Sequence, residues 1–418
     1  MNNYKSSWYG RHFFYGYIVV VAALLITILN YGARNSFGVF FKPTINEFDW
    51  TRTLISGAFT ISMLFQAIGA PLLGRLNDKL GPRFVMTLCG LLLGIGFLLM
   101  SHLSNIWQLY LFYGLVIGIS MGGQFVSLLS TIARWFTKRR GVMTGIVIAG
   151  IGIGGFIMAP VANYLISIYD WRLSYIILGS SVLVIGILAA QFLRRDPAKM
   201  GVIPYGANSE VKQGLAAGEE GLSLREAIHT KQFLITLIIF TSSGYCLMTM
   251  NVHLVPHITD LGISTTIAAN ILAAIGALTA VGCIVLGGFA DRIGNKQVCI
   301  ISFIALVAGI FGFAFVKQIW AMYLCAAVFG IGVGGTAPIE STITAELFGM
   351  KSHGSIFGII SAGFTLGGAL GPFVTAFLFD VTGNYQTAFL VCAGVGTMGL
   401  LFSILLKPIV RSSNRING

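Results

Sequence analysis

Polar side chains recur at helical spacing in the first apolar stretch of the chain. Thr27, Asn30, Tyr31 and Arg34 stand at positions i, i+3, i+4 and i+7, so a helix would place all four on one face. In lipid, an arginine needs a partner, a water-filled cavity or a ligand. A guanidinium can hold a carboxylate through two parallel hydrogen bonds, so this face is a candidate anion site. The alternative is a structural arginine that reaches the outer headgroups.

Ionisable side chains also occur in later apolar stretches. Glu340 shares a helical face with Thr336 and Thr344 and is the only acidic residue well inside such a stretch. It is a candidate proton carrier, and a structural carboxyl bonded to a neighbouring helix is the alternative. His253 could bind a substrate or carry a proton, because histidine titrates near physiological pH. A neutral histidine bonded to a backbone carbonyl is an equal alternative.

Amide side chains complete the set of candidates. Gln124 shares a helical face with three hydroxyl side chains, and Gln66 and Asn251 lie in other apolar stretches. Some groups of this kind only bind neighbouring helices. The sequence shows no catalytic constellation, nucleotide-binding loop or metal-ligand spacing, so we expect no enzyme, cofactor or metal. The predicted substrate-binding residues are Arg34, Asn30, Tyr31, Gln124, Asn251 and His253, with Glu340 and His253 as candidates for proton coupling.

The composition indicates that these groups belong to a membrane protein. Of 418 residues, 56% are hydrophobic and 10% are charged, whereas a soluble domain has about 25% charged residues. The net charge of +12 comes from short loops, which indicates membrane topology rather than nucleic-acid binding. The six cysteines lie in apolar runs without a CxxC pair, so no disulfide framework is expected.

Twelve segments are long and apolar enough to span a membrane. The polar stretch 194–231 divides them, which predicts a six-helix bundle at 1–193, a cytoplasmic linker at 194–231 and a second six-helix bundle at 232–418. The first apolar run is too long for a signal peptide and is predicted to be retained. "SLREAIH" (223–229) predicts a short amphipathic helix at the membrane surface. The predicted spans are roughly 14–41, 53–74, 84–102, 107–135, 142–168, 172–193, 232–258, 266–290, 297–316, 320–348, 354–379 and 386–407.

Basic residues predict the orientation of the spans. If both termini are cytoplasmic, 21 of the 26 Lys and Arg residues lie on the inner side, and only Lys42, Arg52, Arg172 and Lys317 lie outside. Arg34 is the one basic residue left within a span. We therefore expect a multi-pass protein of the plasma (inner) membrane that contacts the lipid bilayer and a small molecule as a monomer.

The two halves of the chain repeat each other. "PLLGRLNDKLGPR" (71–83) matches "IVLGGFADRIGNK" (284–296) at an offset of 213, which aligns Asp78 with Asp291. "GISMGG" (118–123) matches "GIGVGG" (330–335) at an offset of 212. A duplication of six spans predicts two similar bundles that face each other across a central path.

The run Gly-x-Leu-x-Asp-Lys-x-Gly-x-Arg after the second span, echoed after the eighth, resembles the loop motif of the major facilitator superfamily. The resemblance implies an all-α membrane protein with 12 transmembrane helices in two six-helix pseudo-symmetric bundles, working by rocker-switch alternating access. Glycines there allow close helix contact, and the aspartates can cap a helix N-terminus or pair with a neighbouring helix. The predicted conformational-switch residues are Gly74, Asp78, Gly81, Arg83, Gly287, Asp291 and Gly294.

Within that superfamily, "RWFTKRRGVMTGIVIAGIGIGG" (134–155) resembles the monocarboxylate porters and oxalate/formate-type antiporters, as do "YGYIVVVAALL" (15–25) and "NSFGVFFKP" (35–43). The resemblance implies transport of a small organic anion, such as lactate or pyruvate, by proton-coupled symport. The chain departs from the group where family members carry charges. Thr279 and Cys283 occupy the positions where the monocarboxylate porters carry an acid and an arginine in span 8. Phe364 lies near the position of a span-11 lysine in the oxalate antiporters. Asn35, beside Arg34, occupies the position of a lysine that some members carry in span 1.

Two other functions compete with this one. An exporter of drugs or metabolites in the same fold usually carries a Gly-Pro pair in span 5, where this chain has Ala159 before Pro160. A receptor or scaffold that transports nothing predicts a sealed interior without a titratable acid, which Glu340 argues against. The duplicated pattern likewise disfavours a channel.

Overall fold

The part of the chain that the structure describes forms twelve long apolar helices, as predicted. The structure is a computed structural model that describes residues 14–206 and 221–407. The chain ends and the middle of the predicted linker (1–13, 207–220 and 408–418) lie outside the described residues. We number the membrane-spanning helices α1 (Gly16–Phe40), α2 (Arg52–Leu80), α3 (Pro82–Met100), α4 (Ile106–Trp135), α5 (Arg140–Ile168), α6 (Trp171–Ala190), α7 (Lys231–Asp260), α8 (Thr265–Ile293), α9 (Asn295–Phe315), α10 (Ile319–Phe348), α11 (His353–Thr382) and α12 (Tyr385–Leu405).

Two glycines make the sharp turns after α2 and α8. Gly81 has φ +86° and ψ 167°, and Gly294 has φ +96° and ψ 152°. A residue with a Cβ rarely adopts this backbone conformation. Each glycine therefore lets one helix end and the next begin almost at once, at equivalent places in the two halves.

Short helices flank the spans at their polar ends. Phe41–Phe48 follows α1, and Leu224–Ile228 precedes α7, which confirms the predicted helix at 223–229. Ser223 accepts a hydrogen bond from the Glu226 backbone N–H at 3.3 Å, and the Glu226 carboxylate accepts one from the Ser223 N–H at 2.7 Å. These bonds form a capping box, and they lower the pKa of the exposed Glu226 carboxyl.

Each half has an apolar core of its own away from the linker. One cluster draws only on residues 31–182, and another draws only on residues 245–393. Nearer the linker the cores merge, because the cluster that α1 to α6 build there also contains Cys283 of α8 and Phe357 of α11. The Phe125 and Phe357 rings meet across this boundary with centroids 5.8 Å apart.

Small residues bring the two halves into contact at the end that the basic residues assign to the cytoplasm. A Cβ on Gly74 of α2 would overlap the backbone of Gly354 on α11, and a Cβ on Gly145 of α5 would overlap the backbone of Cys283 on α8. Close backbone approach of this kind is typical of helix packing in lipid. Towards the opposite end of α8, a Cβ on Gly276 would meet nothing within 4 Å. The structure is thus closed at its cytoplasmic end.

Candidate functional site

Arg34 of α1 is buried against one face of α2. Its Nη1 donates to Gln66 Oε1 at 2.7 Å, and its Nη2 donates to Ser62 Oγ at 3.2 Å. The guanidinium carbon lies 5.3 Å from the centroid of the Phe59 ring. Phe59, Ser62 and Gln66 follow each other at spacings of three and four, so α2 presents all three to the same neighbour.

The partners of Arg34 are neutral. The side chain is 6% exposed, and its buried Nε has no hydrogen-bond partner in the described part of the chain. Within 14–206 and 221–407, no carboxylate comes within ion-pair distance of this guanidinium. A buried charge without a counter-charge is costly. Arg34 therefore has no counter-charge among the described residues.

Local packing fixes where the Arg34 backbone lies. The Tyr113 hydroxyl of α4 donates to the Arg34 carbonyl at 3.3 Å. The Tyr113 ring also stacks on Phe37, with ring centroids 3.9 Å apart. The chain continues from α1 into a 3-10 turn at Ser36–Phe40. The Arg34 side chain is buried and its guanidinium bonds to Gln66 and Ser62 of α2, which does not match a snorkelling arginine.

Asn30 and Gln124 are buried and form a hydrogen bond with each other. Asn30 Nδ2 donates to Gln124 Oε1 at 2.8 Å, and Gln124 Nε2 donates to Ser120 Oγ at 3.1 Å. Ser120 in turn donates to the Cys89 carbonyl at 2.7 Å. Asn30 and Gln124 are 1% and 0% exposed. The chain of bonds ties α1, α4 and α3 together, and only the Asn30 Oδ1 atom is left unpaired.

Tyr31 lies beside a small void between α1, α4 and α5. The void measures about 10 Å³ and is lined by Thr27, Tyr31, Phe125 and aliphatic side chains. This volume is close to what a single water molecule needs. The void is enclosed by side chains of the first half alone.

Glu340 is buried, and its carboxyl has no bonding partner among the described residues. Its side chain is 2% exposed, and its Oε1 lacks a hydrogen bond. In the described part of the chain it forms no ion pair, and in particular none with Arg34, as expected. Ala337, three residues earlier, packs against the cluster shared by both halves. Glu340 therefore lies near the boundary between the halves, and among the described residues its carboxyl does not make the bond to a neighbouring helix that the structural alternative requires.

His253 is held by the backbone of its own half. Its Nε2 lies 3.0 Å from the Pro372 carbonyl of α11, and its ring centroid lies 5.6 Å from that of Tyr385. The side chain is 8% exposed. This is the geometry of the carbonyl-bonded alternative. Asn251, two residues earlier on α7, is exposed.

The repeated aspartates cap helices across the boundary between the halves. Asp78 at the end of α2 accepts from the Gly354 N–H at 2.9 Å and from the Ser355 N–H at 2.8 Å, at the start of α11. Asp291 at the end of α8 accepts from the Gly141 N–H at 2.8 Å and the Val142 N–H at 3.1 Å, at the start of α5. A carboxylate at a helix N-terminus is stabilised by the free N–H groups and the helix dipole. Of the two uses that the sequence allowed for these aspartates, a helix cap or a pair with a neighbouring helix, the structure has the cap.

Arg134 at the end of α4 reinforces the Asp78 contact. Its guanidinium lies 3.8 Å from Asp78 and 3.3 Å from Asp196, and its Nη2 donates to the Met350 carbonyl at 2.8 Å. Arg83 of the same motif donates from Nε to Gln191 Oε1, directly after α6, at 2.6 Å. Arg134 thus bridges the halves, whereas Arg83 acts within its own half.

The sequence profile of the Major Facilitator Superfamily matches residues 23–316 and 255–417. The chain belongs to the major facilitator superfamily. Monocarboxylate transporter 13 of Rattus norvegicus is 27% identical over 381 residues, covering 90% of this chain and 85% of the relative. Monocarboxylate transporter 11 of Homo sapiens is 27% identical and covers 95% of this chain and 84% of the relative. The family and these relatives are transporters, so the chain is a multi-pass membrane protein of the secondary-transporter class.

The fold has solved counterparts in this superfamily. A proton:xylose symporter bound to 6-bromo-6-deoxy-D-glucose superposes with a TM-score of 0.78 at 14% identity, covering 94% of this chain and 96% of the other. The all-α, twelve-helix architecture is therefore confirmed. Cys283, at the position where porters carry the span-8 arginine, lies in the packed contact with Gly145. That position is therefore part of the packed contact between α5 and α8.

Sequence reasoning missed two members of the Arg34 site. Ser62 and Phe59 are ordinary span residues by type, and only their spacing from Gln66 marks a common face. The sequence shows this spacing, but it does not show which helix the common face of α2 would contact. The environment of Arg34 is thus built by α2, not by the polar residues of α7 or α10.

Proposed function

We propose that this protein moves a small organic anion, a monocarboxylate such as lactate or pyruvate, across the plasma membrane by rocker-switch alternating access coupled to protons, as a monomer. One observation carries the proposal: Arg34 is buried with only neutral partners. A carboxylate would supply the missing counter-charge. The names of the relatives agree with an anion of this class.

The guanidinium offers a geometry for a carboxylate. Nε has no partner, and Nη2 makes one bond, to Ser62 at 3.2 Å. These two nitrogens form one edge of the guanidinium fork, which can bind both oxygens of a carboxylate. Since Arg34 is enclosed in this state, Phe59 or Gln66 must shift as the anion enters. The neutral bonds to α2 keep the fork in place between transport cycles.

Glu340 is the proton carrier in this proposal. Neither an ion pair nor a hydrogen bond fixes its charge state, and it lies at the boundary between the halves. Ionisable residues in such positions mark proton paths in transporters. His253 is the weaker candidate, because its ring is already bonded to the Pro372 carbonyl within one half.

Uptake of labelled short carboxylates into proteoliposomes tests the proposal, with and without an inward proton gradient. We expect gradient-driven uptake by the wild type, and loss of gradient dependence in Glu340→Gln with exchange retained. Lys317→Gln removes one exposed basic residue on the outer side and serves as the control for Arg34→Gln. Uptake indifferent to the gradient would remove proton coupling. Absence of uptake for every carboxylate would favour the exporter.

A further inference from the structure

A groove lies between the two halves at the cytoplasmic end of the molecule. Its volume is about 1040 Å³. One wall is the α4–α5 connection with the first turn of α5, residues 137–143, together with Tyr205. The other wall is formed by the end of α8, the start of α9 and the last turns of α10. The groove runs beside the Asp291 cap on α5, so an occupant would touch both halves.

The rim of the groove is basic. Lys138, Arg139, Arg140 and Arg292 line it, against two acids, Asp291 and Glu346, which leaves a net charge of +2. Asp291 accepts hydrogen bonds from the backbone of α5. Glu346 accepts a hydrogen bond from the Asn295 side-chain amide at 2.6 Å. The basic side chains at positions 138, 139 and 292 are exposed and form no ion pair with any described residue. Both acids are therefore hydrogen-bonded, while these three cations have no counter-charge among the described residues; the Arg139 guanidinium lies 5.7 Å from the Tyr205 ring centroid.

The inner wall of the same groove is apolar. Ile284, Val285 and Phe289 of α8 line it and are 42%, 47% and 47% exposed, and Val142 of α5 lies opposite. These side chains belong to a membrane span, so they continue into the hydrocarbon region. A basic rim joined to an apolar, membrane-facing wall matches the two parts of an anionic phospholipid, since basic pockets between spans on the cytoplasmic side bind such headgroups.

We propose that this groove binds an anionic phospholipid. The headgroup phosphate contacts Lys138, Arg139 and Arg292, and an acyl chain lies along Ile284 and Phe289. A soluble phosphate compound would leave the apolar wall uncovered, so the lipid is the occupant that the groove fits. Because the walls belong to both halves, the bound lipid stabilises the arrangement that is closed at the cytoplasmic end.

The test follows thermal unfolding of the full-length protein in detergent micelles as phosphatidylglycerol or phosphatidylcholine is titrated in. The test variant is Lys138→Gln/Arg139→Gln/Arg292→Gln. The matched control, Arg225→Gln/Lys231→Gln/Lys407→Gln, removes three exposed basic residues of the same side outside the groove. Unfolding is measured without transport, so the result does not depend on the substrate proposed above. Arg292→Gln alone is used if the triple variant does not fold.

We expect phosphatidylglycerol to raise the melting temperature of the wild type and of the control, with phosphatidylcholine giving no comparable rise. Each substitution in the groove should weaken the apparent affinity roughly fivefold, which corresponds to about 1 kcal/mol per basic residue. An equal response of test variant and control would overturn the proposal. Equal stabilisation by soluble glycerol 3-phosphate would also overturn it, because that compound has no acyl chain.

Discussion

Replacing Asp78 by asparagine should open the cytoplasmic end. The carboxylate accepts three hydrogen bonds, from Gly354 N–H at 2.9 Å and from the Ser355 N–H and hydroxyl at 2.8 Å each, and Arg134 lies 3.8 Å away. Bonds to a charged acceptor are roughly twice as strong as neutral ones, so losing the charge costs about 1 kcal/mol for each. The NH2 group of an asparagine would also face one of the N–H or O–H donors of α11, and two donors cannot form a hydrogen bond.

The closed state should therefore lose about 2–4 kcal/mol of stabilisation. Solvent screens the interaction little, because the Asp78 side chain is only 10% exposed. At about 1.4 kcal/mol for each factor of ten, the equilibrium between closed and open cytoplasmic ends should shift roughly 30- to 700-fold towards open. Asp291→Asn should act in the same direction but more weakly, since Asp291 accepts two backbone bonds, at 2.8 and 3.1 Å.

Pulsed electron–electron double resonance, which measures the distance between two spin labels, reports this shift. Lys79→Cys and Lys351→Cys place labels at exposed sites in the two halves, next to the Asp78 contact. Five of the six native cysteines are buried and Cys325 is half-buried, so Cys325→Ser is the one background change needed. We expect the label distance to lengthen in the asparagine variant.

The matched control is Asp380→Asn, which removes an exposed carboxylate at the opposite end of α11. It should leave the cytoplasmic distance unchanged. A folded Asp78→Asn protein with the wild-type distance distribution would refute the argument that these hydrogen bonds hold the end closed.

Further predictions concern the other buried contacts. Gly145→Leu should separate α5 from Cys283 of α8, because its side chain overlaps that backbone; the same spin labels should report a longer distance, and an unchanged one would contradict the close packing. Gln124→Leu leaves the Asn30 amide unpaired and should cost about 1–3 kcal/mol in unfolding free energy, measured by denaturation, whereas no loss would mean that the bond is dispensable. Glu340→Gln should abolish proton-driven accumulation but keep exchange of substrate between the two sides, and accumulation retained in the variant would exclude this carboxyl as the carrier.

The repeated loop was the part of the site that sequence could predict most fully. Asp78 and Asp291 recur three residues before Gly81 and Gly294, and the sequence allows two uses for such a pair, which are to cap a helix N-terminus or to pair with a neighbouring helix. The partners were less accessible. That Asp78 caps α11 and Asp291 caps α5 follows from how the halves dock, which no local pattern contains.

The environment of Arg34 was predictable only on its own helix. Spacing along α1 placed it on a polar face, but the face splits in three dimensions: Asn30 turns to Gln124 while Arg34 turns to α2. Both contacts join residues far apart in the chain, so packing decides them. The same holds for Glu340, whose lack of a partner is a property of its neighbours and not of its position in the sequence.

The proposed role of Arg34 in binding the carboxylate is tested most directly by the kinetics of carboxylate exchange. The proteoliposomes contain the wild type, Arg34→Gln or Lys317→Gln. A charge-assisted bond is worth about 1.5–3 kcal/mol, so Arg34→Gln should raise KM for the carboxylate roughly 10- to 150-fold, while Lys317→Gln matches the wild type. The same KM in Arg34→Gln and the wild type, in a folded protein, would contradict the account and make Arg34 a structural residue.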